Sequence, residues 1–314
     1  MPLRTAACGG RLRCFWRSVR LAFVRAKGVF VFHPSYAVDF PETMYDRRRP
    51  ERILAFLDGA GIVGRRDVFV PRPVSIRKLR RVHDDGYLDA LQSTPALVPV
   101  VGFEVDDRFL EHFLQAHRYG TGGTVLATDL AVRTGGVAVN LGGGFHHAEP
   151  DRGQGFCVFN DVGVAIANWR HNGGSGAVLV IDLDLHDGDG TRAMFRDDPD
   201  VFTFSIHNHD LGSPEAVASE SVALGDDVDD RTYLEALRSR LPRVFDDVRP
   251  ALVYFLAGCD PAQDDRLGNW RITSDGMLER DRFVLDLVRG RSGPPPTVYV
   301  LAGGYGSGAW RYSA

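Results

Sequence analysis

Lysine is almost absent from this 314-residue chain: among 37 basic residues only Lys27 and Lys78 are lysines, and the others are arginines. They are scattered among 41 acidic residues, which leaves a net charge of -4 and no clustered basic face of the kind that grips phosphates. Direct nucleic-acid binding is therefore not expected. Cysteine is scarce too. Cys8, Cys14, Cys157 and Cys259 show no CxxC spacing, which argues against a disulfide framework and fits a reducing, cytoplasmic setting. Long apolar runs are missing, and with them any expected transmembrane helix. Before Lys27, Arg4, Arg11, Arg13, Arg17, Arg20 and Arg25 break every apolar stretch, so a secretory leader is not expected. An organelle transit peptide shares that composition. The simpler expectation is a basic, non-essential extension over 1–27, followed by one domain over 28–314.

Short β-branched or aromatic runs are present at 29–32, 137–141, 177–183, 201–206, 251–256 and 297–301. Their nearly continuous apolar character predicts strands covered on both faces, as in a parallel sheet. Amphipathic stretches at 108–130, 160–170, 231–248 and 274–288 predict the intervening helices. Strands alternating with helices point to a doubly wound α/β domain.

The chemistry collects after the strands. The run at 137–141 leads into Gly142, Gly143, Gly144, Phe145, His146 and His147; that at 177–183 leads into Asp184, His186, Asp187 and Asp189. The run at 251–256 precedes Gly258 and Asp260, and that at 297–301 precedes Gly303, Gly304 and Tyr305. Open parallel sheets bind ligands at the carboxyl ends of their strands, so these groups should share a cleft. Asp184, His186 and Asp260 supply two carboxylates and one imidazole, a set that suits Zn²⁺ and also Fe²⁺ or Mn²⁺. Two adjacent histidines can deprotonate water and support developing charge, if carboxylates such as Asp182 and Asp189 fix their tautomers. The Tyr305 phenol can donate to an oxyanion.

Together, 142–147, 155–161, 182–190, 257–260 and 303–305 resemble the histone deacetylase family, in the family's order and from about Val29 onward. Segments 30–40, 205–207 and 265–268 are most similar to its class IV branch and bacterial relatives. The resemblance implies a three-layer α/β/α fold of the arginase/deacetylase type, with a mainly parallel sheet. It implies a zinc-dependent amidohydrolase acting on an acylated lysine in a protein or on a small acylated amine. It assigns Asp184, His186 and Asp260 to the metal, His147 to the general base beside Asp189, and His146 to its partner beside Asp182. Tyr305 becomes the transition-state donor, Gly155 and Phe156 the wall of the acyl-lysine channel, and Arg52 an arginine at the foot of the pocket. A structural K⁺ beside Asp182, Asp184, His186 and Ser205 is implied by the same analogy. Asp187, Asp264 and Ala302 depart from the family pattern, and the sequence stops at Ala314 where relatives continue into a further helix. Two rivals stay open: an arginase-type ureohydrolase, which needs a second metal cluster, and a non-catalytic acyl-lysine binding module.

Overall fold

The computed structural model describes residues 28–38, 46–212 and 215–314; the extension expected over 1–27 lies outside them. Eight strands form one sheet: β1 Val29–Val31, β2 Val68–Phe69, β3 Val137–Asn140, β4 Val178–Asp182, β5 Val201–His207, β6 Ser219–Ala223, β7 Leu252–Leu256 and β8 Thr297–Val300. Their order is β2-β1-β3-β8-β7-β4-β5-β6, and every pairing is parallel. The six expected strands are all present, and each lies within a residue of its expected bounds. Both edge strands are additions: β2 is two residues long, and β6 is polar and half exposed.

Alternation along the central strands sorts their side chains between two cores. Val178, Val180, Leu252, Tyr254, Leu256, Val298 and Val300 pack toward the Asp107–Thr134 and Asp161–His171 helices. Leu179, Ile181, Val253, Phe255, Tyr299 and Leu301 pack on the opposite face, against Arg49–Gly59, Asp230–Val248 and Ser274–Arg289. Helices on both faces make three layers. Strands buried on both sides need apolar residues at every position, which is why the sequence shows continuous runs rather than strict alternation.

Four helices start where a short polar side chain meets the first free amides. Asp106, Asn160, Asp229 and Thr273 accept from the backbone N–H of Phe109, Gly163, Thr232 and Gly276. Among the described residues no helix is long and apolar enough to cross a membrane. All these helices lie against the sheet, so the carboxyl ends of its strands are left to loops.

Candidate active site

The loop after β3 is anchored from behind by a residue not singled out from the sequence. Asp161 is fully buried and accepts from the amides of Gly144 (3.0 Å) and Phe145 (2.7 Å) and from the Thr124 hydroxyl (2.5 Å). Burial raises its pKa, and these donors hold it down against that effect. The following histidines, with ring centroids 4.1 Å apart, are thereby presented side by side.

Each histidine has its own carboxylate. His146 Nδ1 lies 2.8 Å from Asp182 Oδ2, and His147 Nδ1 lies 2.7 Å from Asp189 Oδ1. Asp189's second oxygen accepts from the Gln154 amide at 2.6 Å, which fixes the carboxylate in turn. A carboxylate at Nδ1 keeps the proton there and leaves Nε2 as the working nitrogen. The two rings sit in different electrostatic surroundings. Burial works against protonation of His146, but Asp182 and Asp184 outweigh it and push its pKa up to about 10. Burial, and then the charge on His146, lower that of His147 despite Asp189. The surroundings thus bias the two rings in opposite directions, His146 toward the protonated form and His147 toward the neutral one, a split of the kind acid–base chemistry uses.

Beside the pair lies the Asp/His/Asp cluster. Side-chain atoms of Asp184, His186 and Asp260 converge within 4.8 Å of one another. The ligand turn lies past the end of β4, where strand alternation no longer sets direction. There the His186 amide donates to Asp184 Oδ1 (3.0 Å), the Leu185 amide to Asp260 Oδ1 (3.1 Å) and the Gly303 amide to Asp184 Oδ2 (2.7 Å). His186 Nδ1 is 3.2 Å from Asp184 and 3.1 Å from Asp260. Burial disfavours its charge, but the two carboxylates raise its pKa to about 11. Burial and the nearby Asp184 push Asp260 up to about 7. Two buried carboxylates so close repel unless positive charge sits between them.

The residues fit a divalent cation. Their donors are two carboxylates and an imidazole, and the space over them is kept open. A Cβ on Gly258 would lie 2.5 Å from Asp184 Oδ2, and one on Gly303 only 2.4 Å from Asp260 Oδ2. The structure therefore contains a candidate site for the metal on which the family generally depends.

A cavity of about 110 Å³ opens onto this set, lined by His146, His147, Asp184, Gly155, Phe156 and Tyr305 among others. Gly155 lies against His147: a Cβ there would come within 2.4 Å of its Cδ2. Phe156 holds a left-handed backbone, φ 64°, and its ring lies 6.3 Å from that of Tyr305. Tyr305 is set by its own amide, which donates to Asp265 at 2.7 Å. Burial and then Asp260 raise its pKa well above the usual phenol value, so its hydroxyl keeps its proton.

Arg52 is the exception. It is partly exposed, pairs with Asp46 at 2.9 Å and donates to the Ser307 carbonyl at 3.2 Å, outside the cavity lining. Arg49, one helical turn earlier and also outside the lining, sits behind the Leu301–Gly303 segment that forms part of it. It is buried and donates to the carbonyls of Leu301 (3.1 Å), Ala302 (3.0 Å) and Gly303 (2.8 Å). The signal was present: Arg49, Ile53 and Leu57 recur every four residues and form the buried stripe of their helix. Asp187 is bound through both oxygens to Arg192, at 2.6 and 2.7 Å. Ser205 pairs in register with Asp182, and its hydroxyl lies 2.8 Å from His207 Nδ1.

A parallel sheet with these groups at its carboxyl ends defines an α/β protein of the arginase/deacetylase type. The family profile of the histone deacetylase domain matches residues 43–314. An uncharacterised protein of Picosynechococcus is 34% identical over 285 residues, covering 88% of this chain and 91% of its own. Histone deacetylase 2 of Arabidopsis thaliana is 30% identical over 295 residues, 89% of this chain and 75% of that one. The crystal structure of acetylpolyamine aminohydrolase from Burkholderia pseudomallei superposes with a TM-score of 0.74 at 20% identity, covering 91% and 96% of the two chains. The chain belongs to the histone deacetylase family.

Proposed function

We propose that this protein is a zinc-class, metal-dependent deacylase that hydrolyses the amide between an acyl group, foremost acetyl, and a lysine side chain or small amine. The observation that carries the reading is the histidine pair, each ring on its own carboxylate, beside the Asp184, His186 and Asp260 cluster. Those three residues would hold the metal, which when bound supplies the Lewis acidity that polarises the acyl carbonyl and makes water more acidic. His147, neutral and oriented by Asp189, accepts the water proton. His146, held by Asp182, stands beside His147 as its partner imidazole. The Tyr305 hydroxyl donates to the oxygen on which negative charge develops. The proton taken by His147 then passes to the departing amine. Gly155 and Phe156 form the wall along which an extended, apolar lysine chain would lie.

A two-metal ureohydrolase would need a second cluster. Asp187, His207 and Asp210 are grouped closely enough, but Arg192 already engages both oxygens of Asp187. The charge of Asp187 is thus already matched by a guanidinium of the protein itself. For the substrate, the family's activity on acetylated lysines and the likeness to an acetylpolyamine aminohydrolase both support a cationic amine product. The test is amine release from acetyl-lysine peptide, acetylpolyamine and myristoyl-lysine peptide by Zn²⁺- and Fe²⁺-loaded protein. Turnover that a hydroxamate chelator blocks supports the reading and names the substrate. Binding of acyl-lysine peptide without turnover, by folded and metal-loaded protein, would make it a binding module instead.

A further inference from the structure

Arg280 is one of the largest fully buried side chains of the molecule, 1% exposed, and nothing in the chemistry above uses it. It projects from the Ser274–Arg289 helix beneath the strand ends. Its Nη1 donates to two carbonyl oxygens, of Leu183 at 3.2 Å and of Gly258 at 2.6 Å. Leu183 immediately precedes Asp184, and Gly258 stands two residues before Asp260. A single guanidinium nitrogen thus bridges the backbone segments that carry both carboxylates of the cluster.

The guanidinium is itself held. Its Nε donates to Asp281 Oδ1 at 2.7 Å, and Asp281's other oxygen accepts from the Tyr299 hydroxyl of β8 at 3.1 Å. The Phe255 ring of β7 lies 5.9 Å from the guanidinium carbon. Burial works against its charge, but Asp281 and the neighbouring tyrosines outweigh burial, so the group is cationic. A buried ion pair is a poor way to gain stability, because apolar packing of similar volume usually does as well or better. What it provides is a rigid fork of donors at fixed separation. The carbonyls it grips belong to neighbouring strand ends, since β4 and β7 are paired in the sheet.

We propose that Arg280 is a positioning residue for the metal centre, fixing segments 183–184 and 258–260 at the separation that lets Asp184 and Asp260 serve one cation. This rests on the metal reading given above. It assigns the Ser274–Arg289 helix a role in the site although none of its residues lines the cavity.

The experiment measures Zn²⁺ affinity by competition with a chromophoric chelator, and the visible spectrum of Co²⁺-loaded protein. The variants are Arg280→Lys, Arg280→Met, Asp184→Asn and Val284→Ala, the last a buried apolar position on the same helix. Lysine keeps the charge but offers a point donor that cannot span both carbonyls and Asp281, so this variant decides the matter if methionine does not fold. The expected result is Zn²⁺ affinity about 10-fold weaker in Arg280→Lys, and weaker still in Arg280→Met, within the 10- to 100-fold range of outer-sphere losses. The Co²⁺ bands should shift in both, whereas Val284→Ala melts earlier but binds Zn²⁺ as the wild type does. Unchanged affinity in the Arg280 variants, or equal weakening in Val284→Ala, overturns the inference while leaving the metal reading intact. Wild-type protein without Asp184-dependent Zn²⁺ binding overturns both.

Discussion

The middles and the ends of the central strands are built on opposite principles, though they are a few residues apart in one sheet. Along β4, Val178, Leu179, Val180 and Ile181 are fully buried hydrocarbon; Asp182 and Asp184, directly beyond, are almost as buried and carry carboxylates. The middle is stabilised by area removed from water and by packing, which tolerate exchange of similar shapes. The ends are stabilised by specific partners: Asp182 by His146, Asp184 by the amides of His186 and Gly303, Asp260 by the amide of Leu185. Removing one partner there leaves a desolvated charge. The middle therefore sets how stable the molecule is, and the ends set what it does.

The sharpest way to break this comparison is to change an end without touching the middle. Tyr305→Phe and His147→Ala should each lower turnover by roughly 10²- to 10⁴-fold, with metal content and melting temperature close to wild type. Steady-state kinetics beside metal analysis checks this. Near-normal turnover in either variant would remove that residue from the chemistry.

The converse change should do the opposite. Ile181 is 0% exposed in the core on the Asp230–Val248 side of the sheet. Ile181→Ala should cost about 3 kcal/mol of stability through lost transfer energy and a residual cavity. Measured by urea unfolding, the loss should appear with the activity per folded molecule nearly unchanged.

A smaller effect lies between the two regimes. His83 is buried, with Nδ1 2.9 Å from the Glu149 carbonyl and Nε2 accepting the Asn160 amide at 3.1 Å, so the neutral tautomer satisfies both contacts. Burial lowers its pKa from 6.5 to about 4. With the folded pKa below the unfolded one, the unfolded chain binds the extra proton between those values. The stabilisation is fully present above pH 6.5 and fades as pH falls toward 4. Between pH 7.5 and pH 5 this amounts to about 2 kcal/mol. His83→Gln should be less stable at pH 7.5 yet show a flatter decline, and an unchanged slope would show that other groups carry the acid sensitivity.

The same comparison explains what the sequence made legible. Strand middles announce themselves as continuous apolar runs, so six strands were placed closely, whereas Val68–Phe69 is too short to carry a pattern and Ser219–Ala223 is too polar. At the ends, glycine-flanked histidines and aspartates stood out against hydrocarbon, and the structure brings His146, His147, Asp184, His186, Asp260 and Tyr305 together. Supporting residues were harder to see. Arg49 and Arg280 act on backbone carbonyls across long separations in sequence, and Asp161 acts on loop amides, so no local spacing reveals their partners. Arg52 comes from the short run Pro50-Glu51-Arg52-Ile53, and that run does not show which arginine of this helix lies on its buried face.

The most direct test of the whole account is to titrate metal-free protein with Zn²⁺ while following amine release from an acetylated lysine peptide or acetylpolyamine. The account predicts activity that rises in proportion to added metal and saturates at one ion per chain, and that is lost in Asp184→Asn. Saturation at two ions, or full occupancy of the site with no hydrolysis of either substrate, would contradict it.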